Sequence, residues 1–404
     1  MSNIPKLRFP EFKGEWEEKT FGDILSLNMV PVPKPDTEYE RLGIFCHNKG
    51  TFHEHITDPS YIALDTLYKV HKNNFIVNIT FAWEHAIAIT TQNDEDALVT
   101  FRFLMFSFNK GYYHQFFKYA FSKEKFRYDL NVASPGGAGR NRVLNQKQLN
   151  NINLIVPSIS EQEKIADFLS NVDSIITAET KILNTLQKKK KALMQKLFTQ
   201  QLRFKSDDGT DFPAWEEKKL GECVKKVCVG FVGVCEQFYT DKSGIPMYRT
   251  GNLKNGKVNK LDLKYVTKEF HEKNIKSQLQ KYDILIARHG ENGQASLYNY
   301  DEQANCLNIV IVRPNEELAF HNYLINCINS DFVRKEVSRK TAGSTQSVIN
   351  TKAIEGLIIP LPCKAEQQKI ADCLSSMDSL IQTQQKVVTT WQQRKKALLQ
   401  QMFI

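Results

Sequence analysis

Two stretches of the chain carry the same long alternation of apolar and polar positions. In the first, apolar residues fall at Ile165, Phe168/Leu169, Val172, Ile175/Ile176, Ile182/Leu183, Leu186, Leu193 and Leu197. In the second they fall at Ile370, Cys373/Leu374, Met377, Leu380/Ile381, Val387/Val388, Trp391, Leu398 and Met402. Spacings of three and four, held for about four heptads, predict a helix with a coiled-coil seam. Each helix would run about 38 residues, or roughly 57 Å. Ser160 followed by Glu163 gives the first a capping-box start. Two such seams in one chain predict that they cover each other, and head-to-tail copies related by a twofold axis require the antiparallel arrangement. A polar residue interrupts each seam at its midpoint, Glu179 and Gln384. They are expected to meet in one buried polar layer that sets the register.

Outside these stretches the apolar runs are short. Strands are expected at 74–79, 85–89, 282–287 and 306–312, with helices around 112–127 and 318–337. Gly-bearing or small-residue loops follow at 134–142 and 341–347.

The chain repeats itself at half its length. Residues 156–198 align without gaps to 361–403, with 21 of 43 positions identical. Val143, Asn145, Lys147 and Pro157 meet Val348, Asn350, Lys352 and Pro362 in the same register. A second matched pair opens each half, Leu7 to Gly22 and Leu202 to Gly221, both carrying Leu-Arg-Phe and Trp-Glu-Glu-Lys. Between them, 25–135 and 224–340 show no convincing alignment. A period this long means two copies of a domain plus its tail, not a solenoid. The fold class expected is α+β: two mixed α/β domains separated by a pair of long helices forming an antiparallel coiled coil, with an internal pseudo-twofold repeat. The expected boundaries are 1–155, 156–200, 201–360 and 361–404. If the shared parts are scaffold, specificity lies in the blocks that differ.

With 404 residues, 41% hydrophobic, the chain is long enough for two or three domains and too apolar to be disordered throughout. No apolar run reaches the ~20 residues of a membrane span and no signal-peptide core opens the sequence, so a cytoplasmic location is expected. The net charge of +9 permits a polyanionic partner, but five of those nine charges lie on the helix segments 151–200 and 356–404. The eight cysteines form no CxxC pair, and free thiols are expected with no metal. The basic runs Lys188–Lys191 and Arg394–Lys396 close the helices, where they suit the macrodipole, a phosphate contact or an acidic partner.

Catalytic motifs are missing. Gly251 to Lys257 has phosphate-loop spacing but ends in Val258, without the hydroxyl that would bind magnesium. His53-Glu54-His55 is not the helical His pair of a zinc protease. Pro35, Asp36, Glu38 and Glu40 lack the spacing and the lysine of a restriction-nuclease core. Neither the Gly-rich cofactor loop nor the Asn/Asp-Pro-Pro-aromatic tetrad of methyl transfer is present.

Two divergent blocks, each opening on Leu-Arg-Phe…Trp-Glu-Glu-Lys and each followed by a Pro and a Glu-Gln-x-Lys-Ile-Ala-Asp helix, resemble the specificity subunit of type I restriction-modification enzymes. The likeness covers essentially the whole chain. It implies that the blocks are target recognition domains, each reading one half of a bipartite sequence in double-stranded DNA. It also implies that the helices set the spacer and dock two modification (methyltransferase) subunits and the restriction (endonuclease/translocase) subunits. S-adenosylmethionine, ATP and Mg²⁺ would then act in those partners, leaving this chain without cofactor, metal, catalytic residue or membrane contact. A stand-alone sequence-specific DNA-binding regulator is the alternative, and a coiled-coil scaffold is a further one.

Residues able to bind base edges or phosphates are chosen by type and position. In the second block they are Arg288, His289, Asn292 and Gln294, then Arg249, Thr250 and Asn252, then Ser344, Thr345 and Gln346. In the first they are Asn78, Thr80, Trp83, Glu84 and His85, then Arg102, then Arg140, Asn141 and Arg142, with Asn48 and Lys49 as further candidates.

Overall fold

Both long seams fold as helices. A computed structural model describes residues 3–137, 142–254, 256–288, 295–341 (backbone only over 337–341) and 351–404. Along the chain the shared segments are β1 (Glu17–Thr20), β2 (Asn153–Val156), α1 (Ile159–Phe198), β3 (Glu216–Lys219), β4 (Ile358–Leu361) and α2 (Lys364–Met402). The contacts divide the chain into a first unit, 1–180 with 387–404, and a second, 181–386. Each unit therefore holds the head of one long helix and the tail of the other.

In both units the two helix segments run antiparallel. In the first, Met402 and Phe403 share a core with Ile165, Ala166 and Leu169, while Lys395 Nζ lies 2.5 Å from Asp173. In the second, Leu197 and Phe198 share a core with Ile370 and Leu374, while Lys190 Nζ lies 2.7 Å from Asp378. The two ion pairs are images of one another under the sequence repeat. Buried seam positions include Leu169, Val172 and Leu183 in α1 and Leu374 and Val388 in α2. Glu179 and Gln384 are each half-buried.

The helix start differs from the expected capping box. α1 begins at Ile159, and the Ser158 carbonyl accepts the N–H groups of Glu161 and Gln162 at 3.0 and 2.9 Å. Ser160 sits inside the first turn, its hydroxyl facing that of Ser158. Glu161 and Gln162 are freed for a different task. Arg8 binds Glu161 through two bonds, Nε to Oε1 at 2.7 Å and Nη2 to Oε2 at 2.8 Å, and the Trp16 indole donates to the same carboxylate at 3.3 Å. Gln162 accepts from the Tyr113 N–H and donates to the Pro157 carbonyl, both at 2.9 Å. The second unit repeats every part of this clamp. Arg203 and Trp215 hold Glu366, and Gln367 accepts from the Phe320 N–H and donates to the Pro362 carbonyl. Antiparallel pairing of β1 with β2, and of β3 with β4, closes each block onto its helix head. A two-bond Arg–carboxylate pair fixes orientation as well as charge, which suits it to locking a block at one angle.

Each block contains the same antiparallel four-strand sheet. Its order is 25–27, 103–108, 75–78, 87–89 in the first unit and 224–229, 309–314, 284–287, 295–297 in the second. The second unit extends this sheet with 257–258 and 253–254. The remaining sheets differ. In the first unit strand 98–99 inserts between 66–69 and 39–44, while in the second 264–266 pairs directly with 245–248. The expected strands are thus present but shorter, and 306–312 breaks in two around Asn308, which takes φ +55°. Each expected helical stretch is two helices, His114–Ala120 with Glu124–Val132 and His321–Ile328 with Asp331–Thr341. The first core is built of phenylalanine rings, Phe21, Phe75, Phe106, Phe116, Phe117 and Phe121 among them, while the second uses Ile, Val, Tyr and Cys side chains. The eight cysteines are free thiols, and five of them are buried.

Candidate nucleic-acid interface

In the first block residues 79–86 form a hairpin between the third and fourth strands of the shared sheet; in the second the same two strands, 284–287 and 295–297, are consecutive in the chain, and Arg288 leaves the first of them. The first-unit hairpin is stitched to its neighbours by backbone bonds. His47 and Asn48 donate to the carbonyls of Glu84 and His85, Ile79 donates to the Arg102 carbonyl, and Leu144 donates to the Ile79 carbonyl. One end of the sheet therefore gathers Asn48, Lys49, Asn78, Thr80, Trp83, Glu84, Arg102 and Arg142, which the sequence scatters over nearly a hundred positions.

Within that cluster the side chains have different tasks. Asn78 Oδ1 accepts from the Thr80 N–H at 3.0 Å, and the Trp83 indole donates to the Thr80 carbonyl at 3.1 Å, so both shape the turn. The Arg142 guanidinium lies 5.2 Å from the Trp83 ring centroid and donates to the carbonyls of Ser134 and Asn131. Lys49 and Arg102 are exposed. His85 faces inward: it is 4% exposed, and its Nε2–H donates to the Phe121 carbonyl at 2.8 Å. That ring pins the hairpin to the end of helix His114–Ala120, and burial holds its pKa below the ordinary histidine value.

In the second unit the start of the fourth strand is held by another residue. Asn329, just after helix His321–Ile328, accepts from the Ala295 N–H and donates to the Ala295 carbonyl, both at 2.9 Å. Arg288 is half-buried where strand 284–287 leaves the sheet. His289, Asn292, Gln294, Ser344, Thr345 and Gln346 lie outside the described residues, as do Arg140 and Asn141 of the first unit. Arg249, Thr250 and Asn252 sit at the opposite end of the sheet from Arg288. Asn259 donates to the Asn252 carbonyl, and Arg249 donates to the Asp262 carbonyl, near the end where Tyr298 returns to Asp283. Asn252 is buried, its amide donating to the Leu261 carbonyl at 2.7 Å.

Sequence reasoning missed two features. One is the Arg8–Glu161–Trp16 clamp with its copy, although the matched positions of both copies carried the signal. The other is a set of apolar residues at this end of each sheet: Phe45, Phe81 and Phe101 in the first unit, Val232 and Val234 in the second, all exposed. The second pair follows strand 224–229, at the end from which Arg288 emerges. Nothing in the periodicity separates an exposed Phe from a buried one.

The basic helix ends are partly spoken for: Lys190 pairs with Asp378, Lys191 with Asp331, Lys395 with Asp173, and Arg394 lies over the Trp391 ring. Lys188 and Lys189 face solvent. Among the described residues no group of three or more His, Cys, Asp or Glu side chains is set to hold a metal ion, and no helix is long and apolar enough to cross a membrane.

Comparison with known proteins agrees with this duplicated architecture. Over 268 residues the chain is 27% identical to the type I restriction enzyme MjaVIII specificity subunit of Methanocaldococcus jannaschii, covering 63% of this chain and 62% of that one. Over 254 residues it is 24% identical to the EcoBI specificity subunit of Escherichia coli, covering 56% and 52%. The matches thus span less than two thirds of these relatives' lengths. The crystal structure of a type I restriction-modification system S subunit from M. genitalium superposes with a TM-score of 0.60 at 14% identity, covering 99% of both chains. A chain from a structure describing complex assembly and conformational transition of the type I R-M system gives 0.59 at 16% identity, covering 96% and 97%. At these identities the structural likeness speaks for the fold. Residues 13–188 and 214–390 each match the family described as type I restriction modification DNA specificity domain. Those two stretches take in most of the sequence, and the chain belongs to that family.

Proposed function

We propose that this chain is the DNA-reading subunit of a type I restriction-modification complex and performs no catalysis itself. Each unit reads one half of a bipartite target in double-stranded DNA. Two methyltransferase subunits and the restriction subunits dock on the paired helices, bringing S-adenosylmethionine, ATP and Mg²⁺ with them. The observation that carries this reading is the duplicated four-strand sheet: one geometry presented twice, with Lys49 and Arg102 at one end of the sheet in the first unit and Arg288 at the matching end in the second. Identical frames with different tips suit two different half-sites at a fixed separation. Lys49, Trp83, Arg102 and Arg142 form the reading set of the first unit, and Arg288 leads that of the second. Asn48 and Glu84 flank the first set. His85 and Asn252, turned inward, shape the loops without touching bases.

Co-expression with the methyltransferase subunit, followed by mapping of modified adenines across the host genome, tests the reading. A bipartite motif with a constant gap is expected. A continuous motif, or tight sequence-specific binding by the chain alone with no methylation in the complex, contradicts it and favours a stand-alone regulator.

A further inference from the structure

We infer that the first unit recognises thymine 5-methyl groups in its half-site through Phe45, Phe81 and Phe101. The inference deepens the function proposed above and rests on it. These rings are 49%, 44% and 50% exposed, in a unit most of whose other phenylalanines build its core. They sit at the gathered end of the sheet. Phe81 lies in the hairpin, donating to the Asn78 carbonyl while its own carbonyl accepts from Glu84 and Ala86. Phe45 belongs to the segment whose His47 and Asn48 bond to that hairpin, and its ring lies tilted at 42° against Phe52 with centroids 4.6 Å apart. Phe101 precedes Arg102, whose carbonyl accepts from Ile79.

The backbones are held by hydrogen bonds, so the rings are placed rather than trailing. Lys49 and Arg102 stand among them, the Arg102 guanidinium 6.0 Å from the Phe101 ring, which favours a polyanionic partner over an apolar protein face. A phenyl ring has neither donor nor acceptor and cannot read the polar edges of bases. In the major groove the apolar group that distinguishes one base from the others is the thymine methyl.

The test uses the assembled complex with its methyltransferase subunits and duplexes carrying the mapped motif. In the half-site read by the first unit each thymidine is replaced in turn by deoxyuridine, which removes the methyl and keeps the pairing. Each contacted methyl removed should weaken binding about threefold to fivefold. Phe81→Ala and Phe101→Ala complexes should each lose the preference for thymidine over deoxyuridine at the one position that ring contacts, while still assembling and still requiring the other half-site. Equal binding of both duplexes by the unaltered complex, or a half-site without thymine, overturns the inference and leaves the two-half-site reading intact. So does failure of both variants to assemble, which would make the rings a protein docking surface. Binding that follows ease of unstacking and ignores the methyl would make them wedges between base steps, and also overturns it. Absence of any bipartite motif sinks the function and the inference together.

Discussion

The first unit fastens its hairpin to the end of the neighbouring helix with an imidazole, His85 to the Phe121 carbonyl, and the second fastens the start of its fourth strand with an amide, Asn329 to both polar groups of Ala295. Around these unlike fastenings the four-strand sheet keeps one order, and the clamp at the helix head keeps the same residues. The difference separates two kinds of constraint. Where side chains must meet the long helix at one angle, the residues themselves recur. Where only a strand arrangement is needed, topology recurs and side chains are replaced wholesale, Phe rings in one core and Ile, Val, Tyr and Cys in the other. Freedom at the hairpin tip follows, since neither clamp nor sheet depends on it.

The largest effect should come from the shared clamp. Glu161→Ala and Glu366→Ala each strand a guanidinium and an indole N–H beside a buried site, and each should cost about 3–5 kcal/mol. Urea unfolding measures the loss, with Trp215, the single tryptophan of residues 181–386, reporting the second unit. Losses differing by several kcal/mol would show that the two clamps are not equivalent.

The fastenings come next. Asn329→Ala leaves two backbone groups of Ala295 without partners and should cost about 2–4 kcal/mol, whereas His85→Ala orphans one carbonyl and should cost about 1–3 kcal/mol. The reverse order would mean that the imidazole does more than hold the loop.

That imidazole also predicts a pH difference. Burial keeps His85 and His114 below the ordinary histidine value, so the unfolded chain takes up their protons more readily than the folded one. The stability that these two groups contribute should be fully present above about pH 6.5 and fall as pH drops below it, levelling off once pH passes beneath the folded-state values. Urea midpoints at pH 7.5 and 5 measure the slope, and His85→Ala should reduce it. The smallest effect should come from the ion pairs between the helices: Lys395→Ala and Lys190→Ala should each cost less than about 1 kcal/mol and match one another in the same unfolding experiment.

Much of the frame was legible in the sequence, because helices of this length and a repeat of this fidelity leave a periodic trace. Leu169, Val172, Leu374 and Val388 are buried where the alternation put them. The interior of the blocks was less legible. A short apolar run announces a strand but not its neighbour, so the insertion of 98–99 between 66–69 and 39–44 left no local mark. The hairpin candidates were chosen by residue type, and type does not report direction: His85 and Asn252 carry suitable groups but turn them inward. Phe45, Phe81 and Phe101 were passed over for the converse reason, since an apolar ring is read as core until its exposure is seen. The helix-head clamp went unnoticed because Arg8 and Glu161 are separated by the whole divergent block.

The division of labour between the units is tested most directly by sequencing the adenines methylated by complexes carrying Arg102→Ala in the first unit and Arg288→Ala in the second. If each arginine reads a base, each substitution should cost about 1–3 kcal/mol of binding. Arg102→Ala should relax positions in one half of the motif and Arg288→Ala in the other, with the gap unchanged in both. Relaxation of the same half by both substitutions, or of both halves by either one, would contradict a separate reader in each unit.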